Sequence, residues 1–284
     1  MGSLSGEILR PKHNLKGANN MDLKLTGKKA IVCAASKGLG LAVASELYRE
    51  GCELVICARN QAELTHAAAL IANHAGRTRA PHTLIADLSS PGTLVDFAHK
   101  AMNLLGGIDI LVNNIGGPPP SSAEETTLAA WQKGFEQIFL SASLMTQAVI
   151  PTMKEQRFGR ILTITSMSVM EPIDHLVVST AMRAAVTTFM KTLSKELAPY
   201  GITANTVMPG VIHTDRIVNL RKAKAEREGT SLDIEMDKTA RAIPVGRLGE
   251  PQELADLVTF LASPRAGYIT GANIPVDGGM RHSW

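Results

Sequence analysis

From residue 23 onward, short apolar runs alternate with longer stretches whose apolar positions recur at helical spacing. The first run, 30–34, follows Lys28 and Lys29 and leads into Ser36, Lys37, Gly38, Leu39 and Gly40. It predicts a buried strand, a glycine-rich turn and a helix over 41–50. The same alternation predicts strands at 54–57, 82–86, 110–112, 160–165, 203–207 and 272–276, with helices at 61–74, 93–105, 129–154, 176–198 and 251–261. Strands alternating with helices of about 10–15 residues specify parallel βαβ units. The fold class is therefore α/β, a Rossmann-type doubly wound parallel sheet in one domain over 23–284. An aperiodic extension, 1–22, precedes it. Residues 215–241 form a charged insertion, with Arg221, Lys222, Lys224, Glu226, Arg227 and Glu228, and are expected to be a helical lid.

Composition narrows the functional class. A hydrophobic content of 45% over 284 residues supports a large core and excludes disorder throughout. The charge balance of 29 basic against 26 acidic residues is too even to predict a nucleic-acid partner. The least charged long segment, 137–153, carries Gln137, Gln147 and several hydroxyls, and reads as a buried helix and not a membrane span. The first twenty residues lack the apolar stretch of a signal peptide. Cys33, Cys52 and Cys57 have no metal-ligand spacing and no paired disulfide plan, so they are expected to be buried thiols in a reducing compartment. A soluble cytoplasmic protein with no membrane partner and no metal is expected.

The candidate chemistry begins at the first turn. A strand, a glycine-rich turn and a helix present unsatisfied helix N–H groups at the sheet's carboxyl edge, where they favour a pyrophosphate. Gly38 and Gly40 permit close backbone approach, whereas Ala34 stands where a first glycine is expected. Its Cβ is tolerable at a negative φ. No carboxylate closes the second strand to hold the ribose hydroxyls; Ala58 and Arg59 stand there, with Lys37 in the glycine loop. Two cations converging on that ribose favour NADP(H) over NAD(H). Asp87, past the third strand, is placed to accept from the adenine amino group or to cap the next helix.

These elements resemble the short-chain dehydrogenase/reductase family, in its 3-oxoacyl-acyl-carrier-protein reductase-like branch, over about 23–284. The likeness is carried by the glycine loop Ser36 to Gly40, and by Asn113-Asn114-Ile115-Gly116 after the fourth strand. It continues with Pro209, Gly210 and Thr214 after the sixth strand, Tyr268-Ile269-Thr270-Gly271, and Val276-Asp277-Gly278-Gly279. The resemblance implies a seven-stranded sheet and cofactor contacts from Asn113, Gly116, Pro209, Gly210 and Thr214. It also implies a homotetramer, or a dimer as the smaller assembly, with contacts from the long fourth and fifth helices and the final strand.

The family pattern also carries a serine after the fifth strand, a tyrosine thirteen residues later and a lysine four beyond that. Ser166 matches the serine, but Ser179 and Arg183 stand at the other two positions. The helix-four asparagine expected seven residues after Trp131 is Ile138. A tyrosine of pKa near 10 is a far stronger acid than an aliphatic hydroxyl, so the tyrosine-type proton relay is excluded at Ser179. Arg183 falls on the same helical face as Ser179 and can stabilise an oxyanion with it and Ser166. His175 and His213 are the candidate proton donors, and Glu171 and Asp174 flank the expected substrate mouth.

Three functions follow from this pattern. The first is an NADP(H)-dependent oxidoreductase interconverting a carbonyl and an alcohol on a small-molecule substrate. The second is a non-redox lyase, isomerase or dehalogenase-like enzyme; halohydrin dehalogenases carry arginine where Arg183 stands but keep a tyrosine. The third is a cofactor-binding protein with little catalysis. Basic residues in the lid segment leave room for an anionic substrate.

Overall fold

The structure, a computed structural model, describes residues 21–282. The expected extension lies almost wholly outside the described residues. Seven parallel strands run β1 (Lys29–Val32), β2 (Glu53–Ala58), β3 (His82–Ile85), β4 (Ile110–Asn114), β5 (Gly159–Ile164), β6 (Ile202–Pro209) and β7 (Asn273–Val276). They lie in the order β3-β2-β1-β4-β5-β6-β7. The order reverses between β1 and β4, and crevices at such a reversal are where open α/β sheets bind ligands.

Alternation along the strands divides the core into two layers. Ala30 and Val32 of β1 face α1 (Gly38–Arg49), α2 (Gln61–His74) and α9 (Pro251–Ala262), through Val43, Leu47, Leu64 and Leu254. Ile31 and Cys33 face the opposite layer. There α3 (Leu94–Leu105), α5 (Ser141–Glu155) and α6 (Val177–Leu197) contribute Phe97, Met145 and Val186. Cys33, Cys52 and Cys57 are buried and free. Burial pushes the Cys52 thiol up to about 12, which keeps it unreactive at neutral pH. Among the described residues no helix is long and apolar enough to cross a membrane.

Three local expectations change. The first strand ends at Val32 and not at Ala34, because Ala34 turns the chain out of the sheet at φ 47°. The condition of a negative φ is not met: Ala34 occupies the left-handed region that favours glycine, at a cost of roughly 1–2 kcal/mol for an L-residue. The helix expected over 129–154 is α4 (Leu128–Gly134), a π-helical turn at Phe135–Leu140, then α5. The insertion at 215–241 is a helical hairpin, α7 (Asp215–Glu228) and α8 (Leu232–Arg241), joined through Gly229 at φ 66°.

Candidate active site

At the carboxyl edge of the sheet, where open α/β sheets hold their ligand cleft, the loops after β1, β4 and β6 meet by close backbone approach. Gly38 has φ 58°, and a Cβ on it would lie 3.7 Å from Thr214 Cγ2. The glycine loop and the loop after β6 therefore face one another. Gly40 packs tighter still, since a Cβ there would stand 2.3 Å from the Ala34 carbonyl and 2.6 Å from Asn114 Nδ2. Asn114 in turn donates to the Ala34 carbonyl at 3.2 Å, pinning the loop in its strained turn. Gly210 abuts Asp277, where a Cβ would meet Cα at 2.7 Å, and its N–H donates to the Val276 carbonyl. Pro209 pairs with Val276 at the end of β6.

The residues of the glycine loop fit a dinucleotide. Lys37 occupies the N-cap of α1 and makes no side-chain cap bond, so the cap side chain does not occupy the first-turn amides that would bind a phosphate. Lys37 and Arg59 are both exposed, and neither forms an ion pair among the described residues. Ser36 sits within 3.4 Å of Glu63, and Leu39 packs against the core. Asp87 Oδ1 accepts from the Ser89 N–H and hydroxyl, and these bonds hold its carboxyl below the usual range. It closes its own turn through Oδ1. Asn113 is the next of the expected cofactor contacts. Its side chain is buried and donates to Thr146 and Thr163, because alternation along β4 aims it into the core.

Ser179 and Arg183 come together, and Arg183 reaches the backbone carbonyl next to Ser166. Arg183 is buried on α6, and its Nε donates to Ser179 Oγ at 3.2 Å. Nη1 donates to the Ile164 and Thr165 carbonyls at the end of β5, both at 3.1 Å, and Nη2 to the Ile115 carbonyl after β4 at 2.8 Å. Arg183 thus staples two strand ends, and most of its N–H groups are already committed. Burial, with a smaller repulsion from Arg216, lowers its pKa to about 10, which leaves it cationic at neutral pH. Ser166 Oγ accepts from the Ser168 N–H at 3.1 Å. Each serine oxygen therefore already takes an N–H, and neither O–H is donated to a protein acceptor in these bonds.

His175 and His213 are both exposed, and neither hydrogen-bonds to this cluster among the described residues. His175, at φ 59°, lines a cavity of about 490 Å³ with Ser122, Thr180 and Ala181. His213 precedes α7, and its N–H donates to the Gly249 carbonyl. Asp174 does not cap α6, whose N-cap is Leu176. Glu171 accepts from the His282 N–H at 2.7 Å.

Two residues at the cleft carried no usable signal in the sequence. Gln137, in the π-helical turn, donates to the Gly116 carbonyl at 2.9 Å. Arg216, in the first turn of α7, donates to the Gly117 carbonyl at 3.3 Å. Each reaches a backbone carbonyl distant in the chain, which periodicity cannot report.

Residues 33–281 match the family model described as enoyl-(acyl carrier protein) reductase. The 3-oxoacyl-[acyl-carrier-protein] reductase of Aquifex aeolicus is 34% identical over 260 residues, spanning 92% of this chain and 100% of that protein. This chain belongs to the short-chain dehydrogenase/reductase family. Another relative, the L-rhamnose 1-dehydrogenase (NAD(P)(+)) of Azotobacter vinelandii, is 35% identical over 262 residues, 90% of this chain and 97% of that one. Among solved structures, the L-sorbose reductase of Gluconobacter frateurii, complexed with NADPH and L-sorbose, superposes with a TM-score of 0.88 at 29% identity. That match covers 93% of this chain and 100% of the reductase. These names span a carrier-bound oxoacyl group and two sugars. Membership of the short-chain dehydrogenase/reductase family therefore fixes the scaffold and leaves the substrate to the residues around the cleft.

Proposed function

We propose that this protein is an NADP(H)-dependent oxidoreductase that interconverts a carbonyl and an alcohol, working in the cytoplasm as a homotetramer with the α7–α8 hairpin as its lid. The observation that carries the cofactor choice is the pair Lys37, in the glycine loop, and Arg59, just past β2; both are exposed and form no ion pair among the described residues, and Ala58 in place of a carboxylate ends β2. A relative complexed with NADPH supports the same choice.

The bound cofactor supplies the hydride; the chain supplies the setting for the substrate oxygen. In this reading the O–H groups of Ser166 and Ser179 donate to that oxygen, and Arg183, bonded to Ser179 Oγ, polarises the hydroxyl as negative charge develops. Arg183 acts through Ser179 and is a positioning residue. Ser179 and Arg183 replace the tyrosine and lysine of the family pattern, and a serine hydroxyl is too weak an acid to deliver the proton at neutral pH. We assign that proton to a water or imidazole at the cleft, with His175 at the cavity and His213 beside Thr214 as the two candidates.

A paired fluorescence titration with NADPH and NADH, on the wild type and on Lys37→Ala/Arg59→Ala, tests the reading, followed by a carbonyl screen. Charge-assisted bonds to one phosphate make NADPH the tighter ligand by about tenfold or more. The double variant should lose that preference and keep its NADH affinity. Equal affinity for the two cofactors in the wild type, or binding of neither, overturns the assignment.

A further inference from the structure

Two guanidinium groups converge on the loop that follows β4. Arg183 donates to the Ile115 carbonyl from α6, and Arg216 donates to the Gly117 carbonyl from α7, two residues further along. Gly117 makes room for this seat, since a Cβ on it would stand 2.7 Å from Arg216 Nη2. The two cations are close enough for Arg216 to depress the pKa of Arg183, and partial desolvation of its guanidinium depresses that of Arg216 as well. Neither has a carboxylate partner among the described residues. Elsewhere in the same hairpin, Lys224, Arg227, Lys238 and Arg241 are each matched to a glutamate or aspartate.

We propose that Arg216, backed by Arg183, is the anion-recognition element of the substrate cleft, so that the carbonyl substrate carries a carboxylate. Arg183 is buried and Arg216 is exposed beside the same loop; their like charges repel, and an anion seated against Arg216 offsets that cost. Arg216 brings a planar fork whose geometry matches a carboxylate. The cofactor phosphates have a separate cradle at the start of α1, with Lys37 and Arg59 on the β1–β2 side of the sheet. The proposal rests on the carbonyl-oxidoreductase reading above.

The test uses the full chain with NADPH and three oxo acids, benzoylformate, acetoacetate and levulinate, each paired with its methyl ester. At least one acid should exceed its ester in kcat/KM by about tenfold or more, the scale of a charge-assisted bond. Arg216→Met should collapse that ratio, and Arg216→Lys should keep part of it. A ratio near one for every pair, or a ratio unchanged in Arg216→Met, overturns the proposal. A rise in the NADPH Kd of Arg216→Met as large as its loss in kcat/KM also overturns it, because the anion is then a cofactor phosphate. Absence of turnover for every substrate defeats the oxidoreductase reading alone, and thermal melting then decides the anion site. Stabilisation by an oxo acid in the wild type but not in Arg216→Met sustains the site; the same shift in both, or in neither, removes it.

Discussion

Arg183 shows how one side chain can hold an active site together without meeting the substrate. Its guanidinium joins the ends of β4 and β5 to α6 through three backbone carbonyls and Ser179 Oγ. Truncation would strand buried carbonyls, which costs far more than a net hydrogen bond returns. Arg183→Met is therefore expected to lose about 3 kcal/mol or more of stability, read as a lower urea midpoint at unchanged slope. Ser179→Ala, which removes one partner, should lose only about 1 kcal/mol. Equal midpoints for Arg183→Met and wild type would show that the staple carries no load. The i, i+4 spacing made the contact between Ser179 and Arg183 legible from sequence. The carbonyls that consume the guanidinium were not, because they lie 68, 19 and 18 residues away. The strain at Ala34 was hidden for a related reason. Its left-handed φ is enforced by Asn114 and by the packing of Gly40, not by its neighbours in the chain.

At the scale of elements, the α7–α8 hairpin is held by charge more than by apolar burial. Only Ala225 of α7 is buried, while Glu235 of α8 receives Lys238 at 2.7 Å, Lys224 at 3.0 Å and the Thr230 hydroxyl at 3.1 Å. Hydrogen bonds from Lys238 and Lys224 hold the Glu235 carboxyl down to about 2, from an ordinary 4.5. A carboxyl depressed on folding stabilises the folded state above its unfolded pKa, and that stabilisation is lost as pH falls through the folded value. Wild type should therefore exceed Glu235→Gln in urea midpoint by a full margin above pH 4.5, a margin that shrinks steadily toward pH 2. A margin independent of pH across that window would refute the role of the carboxylate. The charge run at 215–241 was visible in the sequence as an insertion; its fold into two helices turns on Gly229 and on these cross-helix pairs. The π-helical turn at Phe135–Leu140 had no counterpart in the pattern, since one extra residue per turn barely disturbs apolar spacing over six residues.

At the scale of the molecule, the alternation of strand and helix sufficed to predict the sheet, because fully buried parallel strands and two-layer helices leave a strong apolar signature. Assembly is less legible, since a single chain shows only the surfaces left over. Here β7 is an edge strand, and Tyr268 just before it is 103% exposed. On another face, Leu128 of α4 and Phe135 of the π turn are 73% and 42% exposed, with Phe135 stacked on Phe139. An open edge and large apolar side chains on a second face are costly for a solitary chain. They coincide with the final strand and the long fourth helix through which the family resemblance implies subunit contact. Sedimentation velocity should therefore give a particle of about four times the 30.3 kDa chain mass. Leu128→Glu/Phe135→Glu should break contacts through the α4 face alone and leave dimers joined through β7. A wild-type species of one chain mass would show both faces to be free surface. A tetramer unaffected by the double variant would place the second interface elsewhere.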